Sequence, residues 1–183
     1  MNATGFALFA TPIGHCAIAW AGSGIIGTQL PENDANATRA RMQRRFPAAA
    51  QASPPPAVQH AIDSVTALVD GKLNDLTAIV LDMDNVPSFD RRVYEAARAI
   101  PPGTTVTYGD IAKRIGEPGA AQAVGQALGR NPFAPVVPCH RILSADGKMH
   151  GFSANGGVTT KLRLLTIEGW RAGEPTLFEP PPP

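Results

Sequence analysis

Cysteine is scarce in this chain. The 183 residues hold two, Cys16 and Cys139, far apart. Two thiols cannot build the cross-linked framework of a small secreted domain, so a reduced, intracellular protein is expected. Long apolar runs are also missing. The N-terminus has no basic segment, and Pro12, Gly14 and His15 interrupt the first apolar stretch. Neither a signal peptide nor a membrane span is expected. Metal ligands are too few for a zinc centre. His15 sits beside Cys16, but the first half adds only His60 and no second thiol, and a zinc site needs about four ligands. Charge is sparse, at 17% of residues, with a net of +1 that argues neither for nor against a nucleic-acid partner.

What is present is an ordinary globular composition, 44% hydrophobic, enough for one domain or two small ones. Its charge is unevenly spread. Residues 1–87 carry a net of −2 and residues 88–169 a net of +4, which permits a phosphate-facing surface in the second half. The first half reads as scaffold. Strands over 16–21 and 24–30 flank Ala21-Gly22-Ser23-Gly24, a hairpin turn. A short basic helix is predicted over 37–46, followed by an Ala- and Pro-rich extended connector over 48–57. Val58, Ile62, Val65 and Val69 recur at helical spacing and predict an amphipathic helix over 58–70, stopped at Gly71. A last strand is expected over 78–83.

The second half carries more pattern. Ser88 is placed to cap a helix over 89–99, with Asp90 in its first turn. Pro101-Pro102-Gly103 ends it. Thr107 caps a second helix, with Asp110 at the third position as in a capping box. Gly116-Glu117-Pro118 turns the chain into a third helix over 119–128. Two short helices joined by a glycine-containing turn form a helix-turn-helix pattern, whose second helix normally enters a DNA groove. On that helix Gln122, Gly125 and Gly129 share one face, and small residues there allow close approach to a partner. Ala145-Asp146-Gly147-Lys148 predicts a hairpin between 141–144 and 148–152, the wing of a winged helix. Val158, Leu162 and Leu165 mark a closing helix that ends at Glu168-Gly169. The tail from Glu174 ends in four prolines and is expected to be disordered.

Between these elements lies Val136-Val137-Pro138-Cys139-His140-Arg141. Pro138 restricts the backbone just before the thiol, so Cys139 should sit at a strand end or tight turn. A thiol becomes a good nucleophile as a thiolate, which a nearby base or cation promotes. Cys139 alone could equally be a small buried hydrophobe.

The chain resembles the O6-alkylguanine-DNA alkyltransferases, also called methylated-DNA–protein-cysteine methyltransferases, from about Ser88 to Gly169. The resemblance rests on Ile100-Pro101-Pro102-Gly103-Thr104-Thr105-Val106-Thr107-Tyr108, Ala123-Val124-Gly125, Gly129-Arg130-Asn131-Pro132, Pro138-Cys139-His140-Arg141, and Leu164-Leu165 before Glu168-Gly169. It implies an α+β fold in which residues 1–86 form a small ribonuclease H-like sheet domain. Residues 87–170 then form a winged helix-turn-helix domain and 171–183 a disordered tail. It implies direct-reversal repair of double-stranded DNA, approached through the minor groove by a cytoplasmic monomer without cofactor or metal. Cys139 would accept the alkyl group from O6 of a flipped guanine irreversibly. His140 would act as base through a water, Glu168 would orient His140, and Asn131 would brace the turn before the thiol. Tyr108 would rotate the target phosphate and hydrogen-bond near the base. Gln122, Ala123, Gly125 and Arg130 fall in the DNA-facing motifs. The Ser153 backbone N–H would receive O6, carbonyls around Cys139 and Ile142 would read the guanine amino group, and Arg141 would hold the motif in place. A non-enzymatic sensor of alkylated bases would lack Cys139. A winged-helix regulator would leave the thiol–imidazole pair unexplained.

Two features depart from the family pattern. The loop over 153–161 is about two residues longer than usual. The position before Ala123-Val124-Gly125, usually arginine, is Gln122, which can insert and hydrogen-bond but brings neither charge nor a stacking plane. Gln122→Arg is therefore expected to raise the single-turnover repair rate on duplex O6-methylguanine DNA. An unchanged rate in a quenched time course would count against this reading.

Overall fold

Gly24 opens its strand at a φ of 143°, which a side chain would resist and glycine adopts freely. That turn joins two strands of a meander: β1 (Gly5–Thr11), β2 (Gly14–Ala21) and β3 (Gly24–Gln29). The computed structural model describes residues 3–146, 149, 153–171 and 177. Asp34 caps α1 (Ala35–Arg45) by accepting the Ala37 N–H at 2.8 Å. The stretch expected as a plain connector contributes a two-residue strand, β4 (Ala50–Gln51), parallel to β1, giving the sheet order β3-β2-β1-β4. Pro56 then starts α2 (Pro56–Val69) at a position where a missing N–H does no harm.

Strand alternation puts a helix on each face of this sheet. Ala7, Ile18 and Trp20 pack with Val58, Ile62 and Val65 of α2. Phe6, Ala17 and Ala19 pack with Met42 of α1. The strand expected over 78–83 shrinks to a single bridge between Leu81 and Ile25. The physical reason lies on the outer edge of β3. Ile25 there donates to the Val80 carbonyl at 3.0 Å and accepts from the Asp82 N–H at 2.8 Å, whereas Thr28 donates to the Pro132 carbonyl at 2.8 Å. The edge is shared between two chain segments, so neither can extend along it.

The second half is helical. α3 (Ser88–Arg98) has Pro87 rather than Ser88 at its cap, with Ser88 as its first residue and Asp90 in its first turn. Pro87 fixes the entry backbone, and the serine side chain makes no cap bond. The two-residue strand β5 (Val106–Thr107) leads into α4 (Tyr108–Arg114) and then α5 (Ala121–Gly129). The capping box at Thr107 forms: its hydroxyl accepts the Asp110 N–H at 3.1 Å, and the Asp110 carboxylate accepts the Thr107 N–H at 2.9 Å. Val93, Tyr94, Ile111, Val124 and Phe133 make the shared core with Val137 and Ile142. Val136 and Val137 face opposite ways, the first into the core under α2 and the second into the core of α3–α5.

After Cys139 the chain forms β6 (Ile142–Leu143), which pairs parallel to β5, Val106 opposite Ile142. The second arm of the expected wing falls largely outside the described residues. The closing helix forms as α6 (Val158–Ile167). Val158 and Leu162 are exposed, and Lys161, Leu164 and Leu165 are buried. Most of the Pro-rich tail also lies outside the described residues; Leu177 donates its N–H to the Thr105 carbonyl at 2.7 Å. Among the described residues no helix is long and apolar enough to cross a membrane. The molecule is thus an α+β chain with a small four-stranded sheet and six α-helices among the described residues.

Because α4 is only seven residues long, its cap carries much of its local stability. Thr107→Ala should cost about 1 kcal/mol, lowering the melting temperature by roughly 2–4 °C. Differential scanning calorimetry checks this.

Candidate active site

Pro138 turns the chain into a single 3₁₀ turn, Cys139–Arg141, and not into a strand. β6 follows at once and pairs with β5, which runs into α4. Cys139 is thereby held behind the start of α4, buried at 7% exposure. The Asn131 side chain reaches it from the end of α5: Nδ2 donates to Sγ at 3.4 Å and to the Val137 carbonyl at 2.9 Å, and Oδ1 accepts the Phe133 N–H at 2.9 Å. Burial pushes the Cys139 thiol up, and the Asn131 hydrogen bond and the nearby Lys161 charge pull it back down.

Three buried polar groups share a centre beside the thiol. His140 Nε2 lies 2.9 Å from Glu168 Oε1. Arg141 donates to both oxygens of Glu168, Nε to Oε2 at 2.9 Å and Nη2 to Oε1 at 2.7 Å, in the forked geometry that matches guanidinium to carboxylate. Its Nη1 donates to the Ile100 carbonyl at 2.6 Å, and the Gly103 N–H donates to Glu168 Oε2 at 3.2 Å. Burial pushes the Glu168 carboxyl up, but the hydrogen bonds from His140 and Arg141 and the Arg141 charge more than offset this and hold it at about 2. Burial pushes His140 down, so the imidazole is neutral. An ionised carboxylate only accepts, so Nε2 carries the proton and Nδ1 is left as a bare lone pair. His140 Nδ1 is fully buried and has no hydrogen-bond partner among the described residues. A buried nitrogen acceptor without a donor is costly, and its lone pair is free to accept a proton.

The remaining sequence-predicted residues sit around this centre. Tyr108 is half-buried at the first position of α4. Its ring lies against Gly125, where an added Cβ would stand 3.8 Å from Cε1. Gln122 is exposed and Ala123 half-buried on α5. Arg130, just past α5, spends its fork on Asp90, with bonds of 3.1 and 3.0 Å. Arg141 is buried and faces no solvent, so from this position it holds Glu168 and cannot touch a ligand in solution. Ile142 is buried, and its carbonyl accepts from Lys161 Nζ at 2.6 Å. Ser153 is exposed and borders a polar cleft of about 240 Å³ shared with Asn131, Thr28 and Arg45. No cluster of metal ligands exists among the described residues. Cys16, on β2, packs with Leu30, Val69 and Leu164, and its thiol is pushed up to about 12 by burial.

One functional candidate escaped the sequence reading. Lys161 is 1% exposed, with Nζ 6.0 Å from the Tyr108 ring centre, and burial pushes its ammonium down to about 8. The signal was present as the stripe Lys161, Leu164, Leu165, Glu168 at helical spacing, which places two ionisable residues on the inward face.

Fold and site together define a class: α+β proteins that hold one buried cysteine beside a neutral histidine, behind a pair of short helices. Residues 88–170 match the family described as 6-O-methylguanine DNA methyltransferase, DNA binding domain. A methylated-DNA–protein-cysteine methyltransferase of Mycobacterium tuberculosis (strain H37Rv) is 44% identical over 126 residues, covering 68% of this chain and 74% of that protein. The crystal structure of the Mycobacterium tuberculosis O6-methylguanine methyltransferase superposes with a TM-score of 0.71 at 35% identity, covering 96% of this chain and 99% of that one. That of Mycobacterium tuberculosis OGT in complex with DNA gives 0.71 at 34% identity, covering 90% and 92%. The chain belongs to the methylated-DNA–protein-cysteine methyltransferase family.

Glu168 titrates lower in the folded protein than its unfolded value of about 4.3, so its stabilising effect is complete above about pH 5 and is lost as pH falls through 2. Glu168→Gln leaves Arg141 buried without a counter-charge and should cost about 3–5 kcal/mol at pH 7. The gap between wild type and variant should narrow from pH 5 towards pH 2 in denaturant titrations.

Proposed function

We propose that this protein repairs alkylated DNA by direct reversal, with Cys139 as a single-use acceptor for the alkyl group of O6-alkylguanine. The observation that carries this reading is the Nδ1 of a neutral His140 adjoining Cys139, without a partner among the described residues, with the opposite ring nitrogen locked onto Glu168. In the proposed step the Sγ proton passes to Nδ1 through a bridging water. The thiolate then attacks the alkyl carbon in line, forming C–S as C–O breaks. The bonding pair stays on guanine, which takes up a proton. The thioether has no hydrolytic exit, so the protein is consumed.

In-line attack cannot happen inside a stacked duplex, so the base must be turned out at a cost of a few kcal/mol. The short α4–α5 pair supports that reading as a helix-turn-helix, with the Gln122–Gly125–Gly129 face of α5 laid in the minor groove and Gln122 filling the vacated stack. The proposal takes residues 1–86 as a ribonuclease H-like scaffold, 87–170 as a winged helix-turn-helix unit, and the working form as a monomer. Tyr108, at the open end of α4, would meet the target phosphate. The Ser153 N–H would receive O6. The guanine amino group would reach carbonyls near Cys139, and the second lone pair of the Ile142 carbonyl would remain available beside its bond to Lys161.

The test is intact mass after mixing with equimolar duplex carrying O6-methylguanine. A gain of one methylene, mapped to Cys139 and absent in Cys139→Ala, is the expected result. An unchanged mass would overturn the proposal.

A further inference from the structure

The guanidinium of Arg45, at the end of α1, has no carboxylate within ion-pair distance among the described residues. Its neighbour Arg41 pairs with Glu32 at 3.2 Å. Arg45 instead donates to the Thr28 carbonyl at 2.7 Å, to Gln29 Oε1 at 3.1 Å and, from Nη2, to the Pro132 carbonyl at 3.1 Å. Burial and the Arg41 charge push it down to about 10. Its guanidinium also lies over the Phe46 ring, 5.2 Å from the centroid. A partly buried cation held by carbonyls and a ring face gives up hydration without the return of a counter-charge. Arg45 is kept in place tightly. Gly27 of β3 leaves it room, since a Cβ there would stand 2.6 Å from Phe46 Cζ and 2.9 Å from Arg45 Nη2.

The Pro132 carbonyl is where this charge meets the active site. It accepts two donors from the first half of the chain, Arg45 Nη2 and the Thr28 N–H. The other side of the same peptide group is the Phe133 N–H, which donates to Asn131 Oδ1. The other end of that carboxamide is Nδ2, which donates to Cys139 Sγ. The bonds form one directed series: guanidinium to peptide oxygen, peptide N–H to carboxamide oxygen, carboxamide N–H to sulfur. Each donor points towards the thiol. Amides linked in this way polarise one another, so a cation at the far end makes the last N–H a stronger donor.

We propose that Arg45 is a positioning residue for alkyl transfer, acting on Cys139 through a relay of two amide groups, the Pro132–Phe133 peptide and the Asn131 side chain. The relay fixes which way the Asn131 amide faces and favours the thiolate over the thiol. It assigns the first half of the chain a part in the chemistry, and it rests on Cys139 being the acceptor. Other titratable groups also face Cys139: Tyr94 of α3, Tyr108 of α4, Lys161 of α6 and the adjacent His140. None of them belongs to the relay, so their effects persist when Arg45 is changed.

The test follows the rate of Cys139 carboxamidomethylation by iodoacetamide against pH, read by peptide mass, which needs no DNA and stays informative whatever the repair assay gives. Arg45→Met should move the midpoint up by about half a pH unit, about a threefold loss of thiolate at neutral pH, and slow repair in proportion. Arg45→Lys, which keeps the charge, should recover most of the shift. In an Asn131→Ala background the Arg45→Met change should add no further shift, since the relay is already cut. If Arg45→Met does not fold, Gly27→Ala displaces the guanidinium with its charge intact and should raise the midpoint in the same direction. A lowered melting temperature with an unmoved midpoint would overturn the proposal. So would an equal shift in the Asn131→Ala background.

Discussion

The second half of this molecule is arranged around one buried ion pair, Arg141 with Glu168, whose side chains are 1% and 2% exposed. Both charges give up their hydration, and such a pair repays this only when geometry is good and the remaining hydrogen-bonding positions are filled. Here they are. The carboxylate also accepts from His140 and the Gly103 N–H, and the guanidinium also donates to Ile100. The pair therefore ties four stretches to one point: the end of α3, the Pro101–Gly103 turn, the turn carrying the thiol, and the end of α6. Its value is in specifying one arrangement of these segments, because any shift leaves a buried charge unpaired.

The same pair sets the chemistry next to it. Glu168, held ionised by Arg141, can act only as an acceptor towards His140, and this decides which ring nitrogen carries the proton. The proton-accepting side of the imidazole thus follows from the charge state of a carboxylate on another helix. Asn131 approaches the thiol from the other direction, held by the Phe133 N–H. In the proposed reaction two preset groups serve the thiol, His140 to remove its proton and Asn131 to steady the sulfur left behind.

Much of this was legible in the sequence because it rests on local rules. The hairpin turn at Gly22-Ser23, the capping box at Thr107 and Asp110, and the periodicity of α2 each depend on residues a few positions apart. The thiol motif was legible through its resemblance to a known family. What was hidden depends on distant partners. The missing strand at 78–83 reflects competition from Pro132 for the β3 edge. The inward face of α6 was hidden too, because hydrophobic spacing marks Val158 and Leu162, which are exposed, whereas Lys161 faces inward through its bond to the Ile142 carbonyl. Arg45 looked like one more basic residue on a surface helix. Its acceptors lie 16, 17 and 87 positions away, beyond any local pattern.

The shared outer edge of β3 has a consequence for how these molecules behave in a crowd. An edge strand with free N–H and C=O groups is a template onto which a second copy can add, and proteins commonly guard it with charge, proline or short length. Here Ile25 is engaged by residues 80–82 and Thr28 by Pro132. The chain closes that edge itself, with residues 80–82 and with Pro132 of its second half, so the Pro132 contact that braces the thiol turn also removes a foothold for self-association.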